Sequence, residues 1–324
     1  MKNNQIGIIG VGYWGTNIIN ALYQLGIKKI YCFDKNDENL KEIKKKFPKV
    51  ITYFNLNKFL ELQLNGVIIS VPTNSHYEIA FKCLKKGLNI FIEKPSTNSS
   101  KKLKKLHKIA LSKKLIIMSG YIYLYNDHIK YIKKIIKKNF LGKIFYVSCE
   151  RLNLGPVRND VSSAWDLSSH DIAICNYLFE DNLSIIKKSG YDFLKKNISD
   201  ISNISGKIKD IKIDLKSSWL NPEKIRKIII LGKKRMLLFD EMDFKYPIKI
   251  YNKYVEYPKI QSFEKRFFTQ KANIYLGSTL KPKIKTNSPL ENEMKEFLKL
   301  INSRNYNKFL LDPINILKIL EKLK

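Results

Sequence analysis

The chain has 324 residues, and its hydrophobic fraction of 44% excludes an intrinsically disordered protein. The formal net charge is +31, yet only six of the 60 basic residues are arginine. Because nucleic-acid sites favour clustered arginines with stacking aromatic side chains, we predict no nucleic-acid partner and attribute the lysine excess to codon bias. The positive field can still attract an anionic substrate.

No stretch of the sequence reaches the roughly 18 apolar residues that a membrane-spanning helix needs, and the N-terminus lacks the apolar core of a signal peptide. We therefore predict a cytoplasmic protein with no membrane partner. The four cysteines lie far apart and show no spacing typical of metal ligands; they are Cys32, Cys83, Cys149 and Cys175. They are interpreted as buried free thiols, and no metal site is predicted.

The first part of the chain alternates short apolar runs with helical patterns. We predict strands at 5–9, 29–33, 66–71, 88–92 and 115–118, and helices at 16–25, 38–47, 76–86 and 101–112. Such alternation is typical of an α/β fold, here a Rossmann doubly wound parallel sheet with helices on both faces. This first predicted domain spans residues 1–121.

After Gly120 the strands become longer and alternate in polarity. We predict strands at 143–151, 207–219, 224–231 and 236–240, a hairpin turn at 221–223, and helices at 166–179, 290–301 and 313–323. The pattern predicts an α+β domain with a large open, mostly antiparallel sheet. This second domain is placed at residues 122–304, and a C-terminal helix at about 305–324 is predicted to pack back on the first domain.

A glycine-rich turn, Gly10-Val11-Gly12-Tyr13-Trp14-Gly15, follows the first strand and opens the first helix. In this context the three glycines predict a dinucleotide site, with the pyrophosphate at the N-terminus of the helix. Asp34 ends the second strand, where its carboxylate can accept hydrogen bonds from the adenosine ribose hydroxyls. This favours NAD over NADP, because a carboxylate repels a 2′-phosphate. The alternative is a glycine turn without a ligand.

Two further polar runs follow parallel strands, at the edge of the sheet where ligands bind. The run Ser70-Val71-Pro72-Thr73-Asn74-Ser75-His76 is predicted to face the cofactor; the alternative is a helix capped by Ser75 or Asn74. His76 is interpreted as structural or adjacent to the cofactor. In Glu93-Lys94-Pro95, Lys94 can stabilise alkoxide character on a reacting hydroxyl; the alternative is a surface Lys-Pro turn.

Asp166 and His170 are four residues apart at the start of a predicted helix, which places them on one face. His170 is a candidate general base, because the unperturbed pKa of histidine is close to the working pH. Asp166 can orient the substrate or the imidazole ring. The alternative is that Asp166 caps the helix and His170 is a satisfied buried side chain.

Together, and in this order, the motifs resemble those of the glucose–fructose oxidoreductase / inositol dehydrogenase (Gfo/Idh/MocA) family over nearly the whole chain. Glu93-Lys94-Pro95 is similar to the EKP motif of that family, Asp166-x-x-x-His170 to its second-domain active-site pair, and Thr73-Asn74-x-His76 to its cofactor-side loop. The resemblance implies a catalytic Lys94 and a Lys–Pro bond that is often cis. It also implies a substrate domain whose open sheet often forms an oligomer interface.

Two runs, 151–160 with Trp165-Asp166-Leu167 and 218–226, are similar to the branch of the family that acts on UDP-sugars. That branch includes dehydrogenases that oxidise the 3-hydroxyl of UDP-N-acetylglucosamine or of its uronic acid, after which an aminotransferase uses the 3-keto sugar. Ser168-Ser169 departs from the pattern, because many members carry Gly or Ala followed by Pro there. This change removes no proposed catalytic group.

The resemblance implies an NAD-dependent oxidoreductase acting on a sugar hydroxyl, with His170 taking the proton, Lys94 stabilising the oxyanion and Asp166 positioning the sugar. The implied cofactor-binding residues are Gly10, Gly12, Tyr13, Trp14, Gly15, Asp34, Ser70, Val71, Pro72, Thr73, Asn74, His76, Glu93, Lys94, Pro95 and Trp165. The implied substrate-binding residues are Lys94, Tyr121, Tyr123, Asn126, Arg151, Arg158, Asp166 and His170.

The implied partners are a sugar or UDP-sugar substrate, further copies of the chain in a homodimer or homotetramer, and an aminotransferase of the same pathway. Two alternatives stay open. One is a free-sugar or myo-inositol dehydrogenase, and the other is a non-catalytic regulator that binds NAD.

Overall fold

The computed structural model describes residues 4–256, 272–304, 306 and 312–323. The chain forms two compact units, one comprising residues 1–127 and 286–322 and the other residues 128–285. The helix predicted near 290–301 therefore groups with the first unit rather than with the predicted domain at 122–304. The helix predicted at about 305–324 lies partly outside the described residues, which omit 305, 307–311 and 324.

The helices of both units begin and end at defined residues. In chain order they are α1 (Tyr13–Gln24), α2 (Asp37–Lys46), α3 (Leu56–Leu60), α4 (Thr73–Lys85), α5 (Ser100–Ser112), α6 (Asp127–Lys137), α7 (Ser169–Phe179), α8 (Pro289–Ser303) and α9 (Pro313–Glu321). A short 3-10 turn spans Ile122–Tyr125, and a π-helical turn at Ala164–Ser168 leads directly into α7. Within the described residues, no helix is both long and apolar enough to span a bilayer.

The first unit contains a six-stranded sheet in which every strand pair is parallel. Its strands are β1 (Gln5–Ile9), β2 (Lys29–Phe33), β3 (Ile51–Tyr53), β4 (Gly66–Ile69), β5 (Ile90–Glu93) and β6 (Ile117–Gly120), in the spatial order β3-β2-β1-β4-β5-β6. The predicted doubly wound parallel sheet is confirmed. The prediction missed β3, because three residues are too few to show a pattern.

Burial explains why the strands of the first unit are mostly apolar. All four residues of β4 are buried, as expected for a strand covered by helices on both faces. The helix α8 packs on the same sheet through Phe297, whose ring centroid lies 5.7 Å from that of Phe91 on β5. The Glu321 carboxylate of α9 accepts hydrogen bonds from the backbone N–H and the hydroxyl of Ser100, both at 2.7 Å. The two C-terminal helices are thereby fixed to this unit.

The second unit contains an eight-stranded sheet that is antiparallel except for one pair. Its strands are β7 (Ile144–Leu154), β8 (Ser184–Tyr191), β9 (Ile201–Ile208), β10 (Ile211–Ser218), β11 (Leu220–Gly232), β12 (Met236–Asp240), β13 (Ile248–Glu256) and β14 (Asn273–Leu280). Their spatial order is β14-β13-β12-β11-β7-β10-β9-β8, and β7 runs parallel to β10. The predicted large, mostly antiparallel sheet is confirmed.

Two details of the predicted second sheet are wrong. The strand predicted at 207–219 is interrupted by a tight turn at Lys209, whose φ is 54°, so it contributes to both β9 and β10. The hairpin turn predicted at 221–223 lies inside β11, where the pairing with β7 shifts register between Leu220 and Ile225. Pro222 has no N–H to donate to the ladder, so the segment forms an irregularity in one long strand rather than a turn between two.

The four cysteines are buried and free, as predicted. Cys149 on β7 and Cys175 on α7 lie closest together, with their sulfur atoms 3.9 Å apart. Burial raises the pKa of the Cys32 and Cys83 thiols to about 12, so these two side chains are neutral and pack as small apolar groups.

Candidate active site

The glycine turn between β1 and α1 is shaped for a close ligand. Gly10 has a φ of +92°, and a Cβ there would lie 2.8 Å from the carbonyl oxygen of Ser70. A Cβ at Gly15 would overlap the carbonyl oxygen of Gly10, whereas a Cβ at Gly12 would meet nothing within 4 Å. Gly10 and Gly15 are thus required for the turn itself, and Gly12 leaves open space beside the backbone. A pyrophosphate at the N-terminus of α1 fits this arrangement.

Asp34, at the end of β2, is tied to the glycine turn. Its Oδ2 accepts a hydrogen bond from the N–H of Val11 at 2.8 Å, and its Oδ1 accepts one from the N–H of Asn36 at 2.9 Å. Each carboxylate oxygen can accept more than one hydrogen bond, so this geometry leaves acceptor capacity for ribose hydroxyls. The same carboxylate also holds the turn in place.

The run from Ser70 to His76 joins three turns at the same edge of the sheet. The Ser70 hydroxyl donates to the carbonyl oxygen of Gly10 at 2.6 Å. The buried His76 ring lies between two carbonyl oxygens, with Nδ1 3.0 Å from Pro95 and Nε2 2.7 Å from Val71. The cap of α4 is Pro72, without a side-chain hydrogen bond, so the alternative reading of Ser75 or Asn74 as the cap is wrong. In the structure, His76 links the two neighbouring turns.

Glu93, Lys94 and Pro95 form the turn after β5, and the Lys94–Pro95 peptide bond is cis. The Glu93 Oε1 accepts a hydrogen bond from the indole Nε1 of Trp14 at 2.5 Å, and its Oε2 accepts one from the N–H of Lys94 at 3.1 Å. Burial raises the pKa of Glu93 to about 7, although both hydrogen bonds and the Lys94 charge act to lower it. The Lys94 side chain is partly exposed at this edge of the sheet, where it is available to a ligand.

In the second unit, the π-helical turn and α7 present two polar side chains to the exterior. From Ser163 to Asn176 every residue is buried except Asp166 and His170, which are partly exposed. Asp166 lies in the π-helical turn and His170 in the first turn of α7, and that they share a face stays a prediction. An imidazole and a carboxylate on one side of a buried helix can bind a hydroxylated ligand and accept its proton. Trp165, beside them, is buried.

The predicted substrate residues Arg151 and Arg158 have different surroundings. Arg158 donates to Asp160 at 2.7 Å through Nη2 and reaches Asp166 at 3.5 Å through Nη1. Arg151 on β7 is buried and forms a bidentate pair with Asp171 on α7, with distances of 3.0 Å from Nε and 2.7 Å from Nη2. Arg158 thus faces the Asp166 carboxylate, whereas Arg151 fastens α7 to the sheet.

The remaining predicted substrate residues follow β6 in the first unit. Tyr121 is buried, its hydroxyl has no hydrogen-bond partner among the described residues, and burial raises its pKa. Asn126 is also buried, whereas Tyr123 is partly exposed. Tyr123 is therefore the most accessible of the three to a ligand. Near the glycine turn, Tyr13 is largely exposed, with 84% of its surface accessible.

Sequence reasoning missed one polar residue of this region, Glu293 on α8. Its side chain is fully buried, and neither carboxylate oxygen has a hydrogen-bond partner among the described residues. The available signal was its position on the apolar face of the helix, next to Met294 and four residues before Phe297. A carboxyl group at such a position is unusual unless it has a specific role.

Comparison with known proteins assigns a family to the first part of the chain. Residues 4–121 match the family model GFO_IDH_MocA, an oxidoreductase family with an NAD-binding Rossmann fold. This region contains the glycine turn, Asp34, the run from Ser70 to His76, and the Glu93-Lys94-Pro95 turn. The match covers the whole six-stranded sheet.

Curated relatives extend the similarity into the second unit. Myo-inositol 2-dehydrogenase from Thermotoga maritima is 20% identical over 207 residues, covering 62% of both chains. UDP-N-acetylglucosamine 3-dehydrogenase from Acidithiobacillus ferrooxidans is 27% identical over 179 residues, covering 53% of both chains. The chain thus spans less than two thirds of the length of these relatives.

A solved structure of the Acidithiobacillus ferrooxidans UDP-N-acetylglucosamine 3-dehydrogenase superposes on the chain with a TM-score of 0.76. The superposition covers 98% of this chain and 95% of that one, at 19% sequence identity. At this identity the likeness shows a shared fold.

Proposed function

Since residues 4–121 match the Gfo/Idh/MocA family of oxidoreductases, we propose that the chain is an NAD-dependent dehydrogenase of a UDP-linked N-acetylamino sugar. The reaction is oxidation of the 3-hydroxyl of the sugar to a ketone, in the synthesis of a cell-envelope polysaccharide or lipid A. The observation that carries this proposal is the selective exposure of Asp166 and His170 on an otherwise buried segment. An imidazole and a carboxylate at these positions can bind a hydroxyl group and accept its proton.

The cofactor is proposed to bind at the glycine turn, with NAD preferred over NADP. Gly12 leaves room for the pyrophosphate, and Asp34 presents a carboxylate at the end of β2, where it would bind ribose hydroxyls and repel a 2′-phosphate. When bound, the nicotinamide supplies an acceptor for the hydride that leaves the sugar carbon.

The remaining steps belong to side chains of this chain. His170 accepts the proton of the sugar hydroxyl as a general base. Lys94 stabilises negative charge on the oxygen as the proton leaves, and Asp166 binds a neighbouring polar group of the sugar. The overall change is balanced, because the alcohol loses one hydride to the cofactor and one proton to His170.

Two observations support a nucleotide-linked sugar as the substrate. One relative and one solved structure that resemble the chain are UDP-N-acetylglucosamine 3-dehydrogenase. The net charge of +31 also favours a diphosphate-bearing substrate over a neutral one, because a positive field concentrates anions near the protein.

The direct test incubates the purified protein with NAD and, separately, with UDP-N-acetylglucosamine, other UDP-sugars and free polyols. Absorbance of reduced nicotinamide is followed under single-turnover conditions, with an aminotransferase trap to remove the ketone. Reduction of NAD with a UDP-N-acetylamino sugar supports the proposal. NAD binding without reduction by any substrate contradicts it and supports a non-catalytic regulator.

A second candidate is a free-sugar or myo-inositol dehydrogenase. It is favoured by the similarity to myo-inositol 2-dehydrogenase, which spans a larger share of the chain than the UDP-sugar relative does. The same substrate panel separates the two functions, because turnover of myo-inositol but not of UDP-sugars would select this one.

We also propose that the chain forms a homodimer or homotetramer through the sheet of its second unit. The strands β13 and β14 carry exposed apolar side chains, among them Val255, Ile274 and Leu276, and such groups favour association. Light scattering during size-exclusion chromatography tests this, and a monomeric mass at micromolar concentration would contradict it. An aminotransferase is the proposed pathway partner, because it would consume the 3-keto product.

A further inference from the structure

Glu293 lies on α8 with its side chain fully buried, and neither of its carboxylate oxygens has a hydrogen-bond partner among the described residues. Burying a polar group without a hydrogen bond is unfavourable, and burying a charged group without one is more so. A buried acid in such a position therefore points to a function rather than to packing.

The neighbouring acid is Glu93, which connects two parts of the proposed cofactor site. One oxygen accepts from the indole of Trp14 in the first turn of α1, and the other accepts from the backbone N–H of Lys94. On the next strand Gly120 is paired with Glu93, and a Cβ at Gly120 would lie only 3.1 Å from Oε2. The carboxyl group is thus held on three sides.

Burial acts on the ionisation of both acids. Burial raises the pKa of Glu93 to about 7, against the opposing effects of Trp14, the Lys94 N–H and the Lys94 charge. Burial, and then the negative charge of Glu93, raise the pKa of Glu293 well above its ordinary value of 4.5. Glu93 accepts two hydrogen bonds and lies beside the Lys94 charge, whereas Glu293 has no hydrogen-bond partner among the described residues, so negative charge is more stable on Glu93 than on Glu293.

The other elements around these two acids add little charge. The helix α1 contains no Asp, Glu, Lys, Arg or His, and neither do β4 and β6. The helix α4 contributes His76, which contacts the carbonyl oxygens of Val71 and Pro95. The 3-10 turn that contacts α8 contributes the phenols of Tyr123 and Tyr125.

We propose that Glu93 and Glu293 are positioning residues for Lys94: the Glu93 carboxylate ties Trp14 to the Lys94 peptide, and the neutral Glu293 keeps water away from that carboxylate. This proposal rests on the proposed function only for the role of Lys94, because the hydrogen bonds from Trp14 and the Lys94 N–H to Glu93 exist without substrate. Hydrogen bonds to an ionised carboxylate are roughly twice as strong as those to a neutral one. Ionisation of Glu93 near neutral pH thus strengthens the hydrogen bonds from Trp14 and from the Lys94 N–H, and this orders the Lys94 turn.

The test is a pH titration of the tryptophan fluorescence of the full chain without ligands. Trp14 donates directly to Glu93, so its emission reports the charge of that carboxyl group. We expect a transition with a midpoint near 7 that is lost in Trp14→Phe and in Glu93→Gln. Trp165 and Trp219, the two other tryptophans, remain in both variants and provide the background signal.

Substitutions of Glu293 test whether it keeps water away from the Glu93 carboxylate. Glu293→Gln resembles the neutral acid and should leave the midpoint unchanged. Glu293→Ala admits water beside Glu93 and should lower the midpoint by about one pH unit, since desolvation is the main cause of the raised pKa. If this variant does not fold, Glu293→Asp is expected to shift the midpoint in the same direction by a smaller amount. Glu296→Gln on the same helix is the matched control and should behave as the wild type.

A transition that persists in Glu93→Gln, or a midpoint that stays near 7 in Glu293→Ala and Glu293→Asp, would overturn the proposal.

With an active substrate in hand, Glu93→Gln should lower kcat about tenfold or more, with KM little changed. Glu296→Gln should keep the wild-type kcat and KM. If no substrate is turned over, the proposed function fails, but the fluorescence titration still tests whether Glu93 links Trp14 to the Lys94 peptide.

Discussion

At the scale of single residues, burial decides which polar groups are available for chemistry. Asp166 and His170 are the two partly exposed side chains in a run that is otherwise buried. Arg151, which the sequence suggested as a substrate contact, is buried and paired with Asp171. Residue type and spacing singled out Asp166, His170 and Arg151, but only the structure separates the partly exposed groups from the one that is buried in an ion pair.

The proposed roles of Lys94 and His170 predict large losses of activity without loss of structure. Lys94→Ala should lower kcat by about 10² to 10³, because it removes a donor to the developing oxyanion. His170→Ala should lower kcat by about 10² to 10⁴, the range for loss of a general base. Single-turnover rates measure both effects, with circular dichroism as the check on folding. Lys104→Ala, an exposed lysine of α5, should retain wild-type activity, and near-normal rates in both active-site variants would exclude these roles.

Glu293, the buried acid of α8, predicts that the difference in stability between the wild type and Glu293→Gln depends on pH. Native Glu293 keeps its proton to a pH well above 4.5, whereas the unfolded chain releases it near 4.5. Between these values the native state binds more protons, so the wild type loses up to about 1.4 kcal/mol of stability per pH unit from this group. Glu293→Gln has no such proton and should be more stable than the wild type at about pH 8, but not at about pH 4. Urea unfolding at both pH values measures this, and an equal difference at each would contradict it.

At the scale of elements, the sequence pattern predicted those with the clearest local signals and gave no predicted range for α3, α6, β13 and β14. The first-unit strands longer than three residues and the glycine turn were found because apolar runs and glycine spacing are local signals. The strand β8 was missed because all but one of its residues are exposed, so its two faces show no alternation. The pairing of Glu93 with Glu293 was missed for a different reason, since the two residues are far apart in the chain and only packing of α8 on the sheet brings them together.

The buried ion pair of Arg151 on β7 and Asp171 on α7 predicts a large loss of stability when only one of the two residues is replaced. Arg151→Met or Asp171→Leu should each destabilise the protein by about 3–5 kcal/mol, because the remaining charge is buried without its partner. The double variant should cost less than the sum of the two, since no unpaired charge remains. Thermal or urea unfolding of all four proteins gives the coupling energy. Arg158→Met, which breaks a more exposed pair, is the control and should cost about 1 kcal/mol or less. Additive single costs would show that the pair does not fasten α7.

At the scale of the whole molecule, the excess of positive charge has a consequence for substrate choice. A net charge of +31 is spread over many lysines, so it acts on approaching anions through the general field rather than through a single contact. Such a field is weakened by salt, because the Debye length falls from about 10 Å at 0.1 M to about 3 Å at 1 M. A charged and a neutral substrate should therefore respond differently to ionic strength.

This difference gives a test of the substrate class that needs no variant. For a UDP-sugar, raising sodium chloride from about 0.05 to 0.5 M should increase KM several-fold while kcat changes little, because encounter is weakened and the chemical step is not. For a neutral polyol, KM should stay nearly constant over the same range. Initial rates with each substrate at saturating NAD measure the effect, and potassium chloride serves as the control for a specific ion effect. Equal salt dependence for both substrates would show that the lysine-rich surface does not select for the diphosphate, and the choice of sugar would then rest on contacts such as those of Asp166 and Arg158.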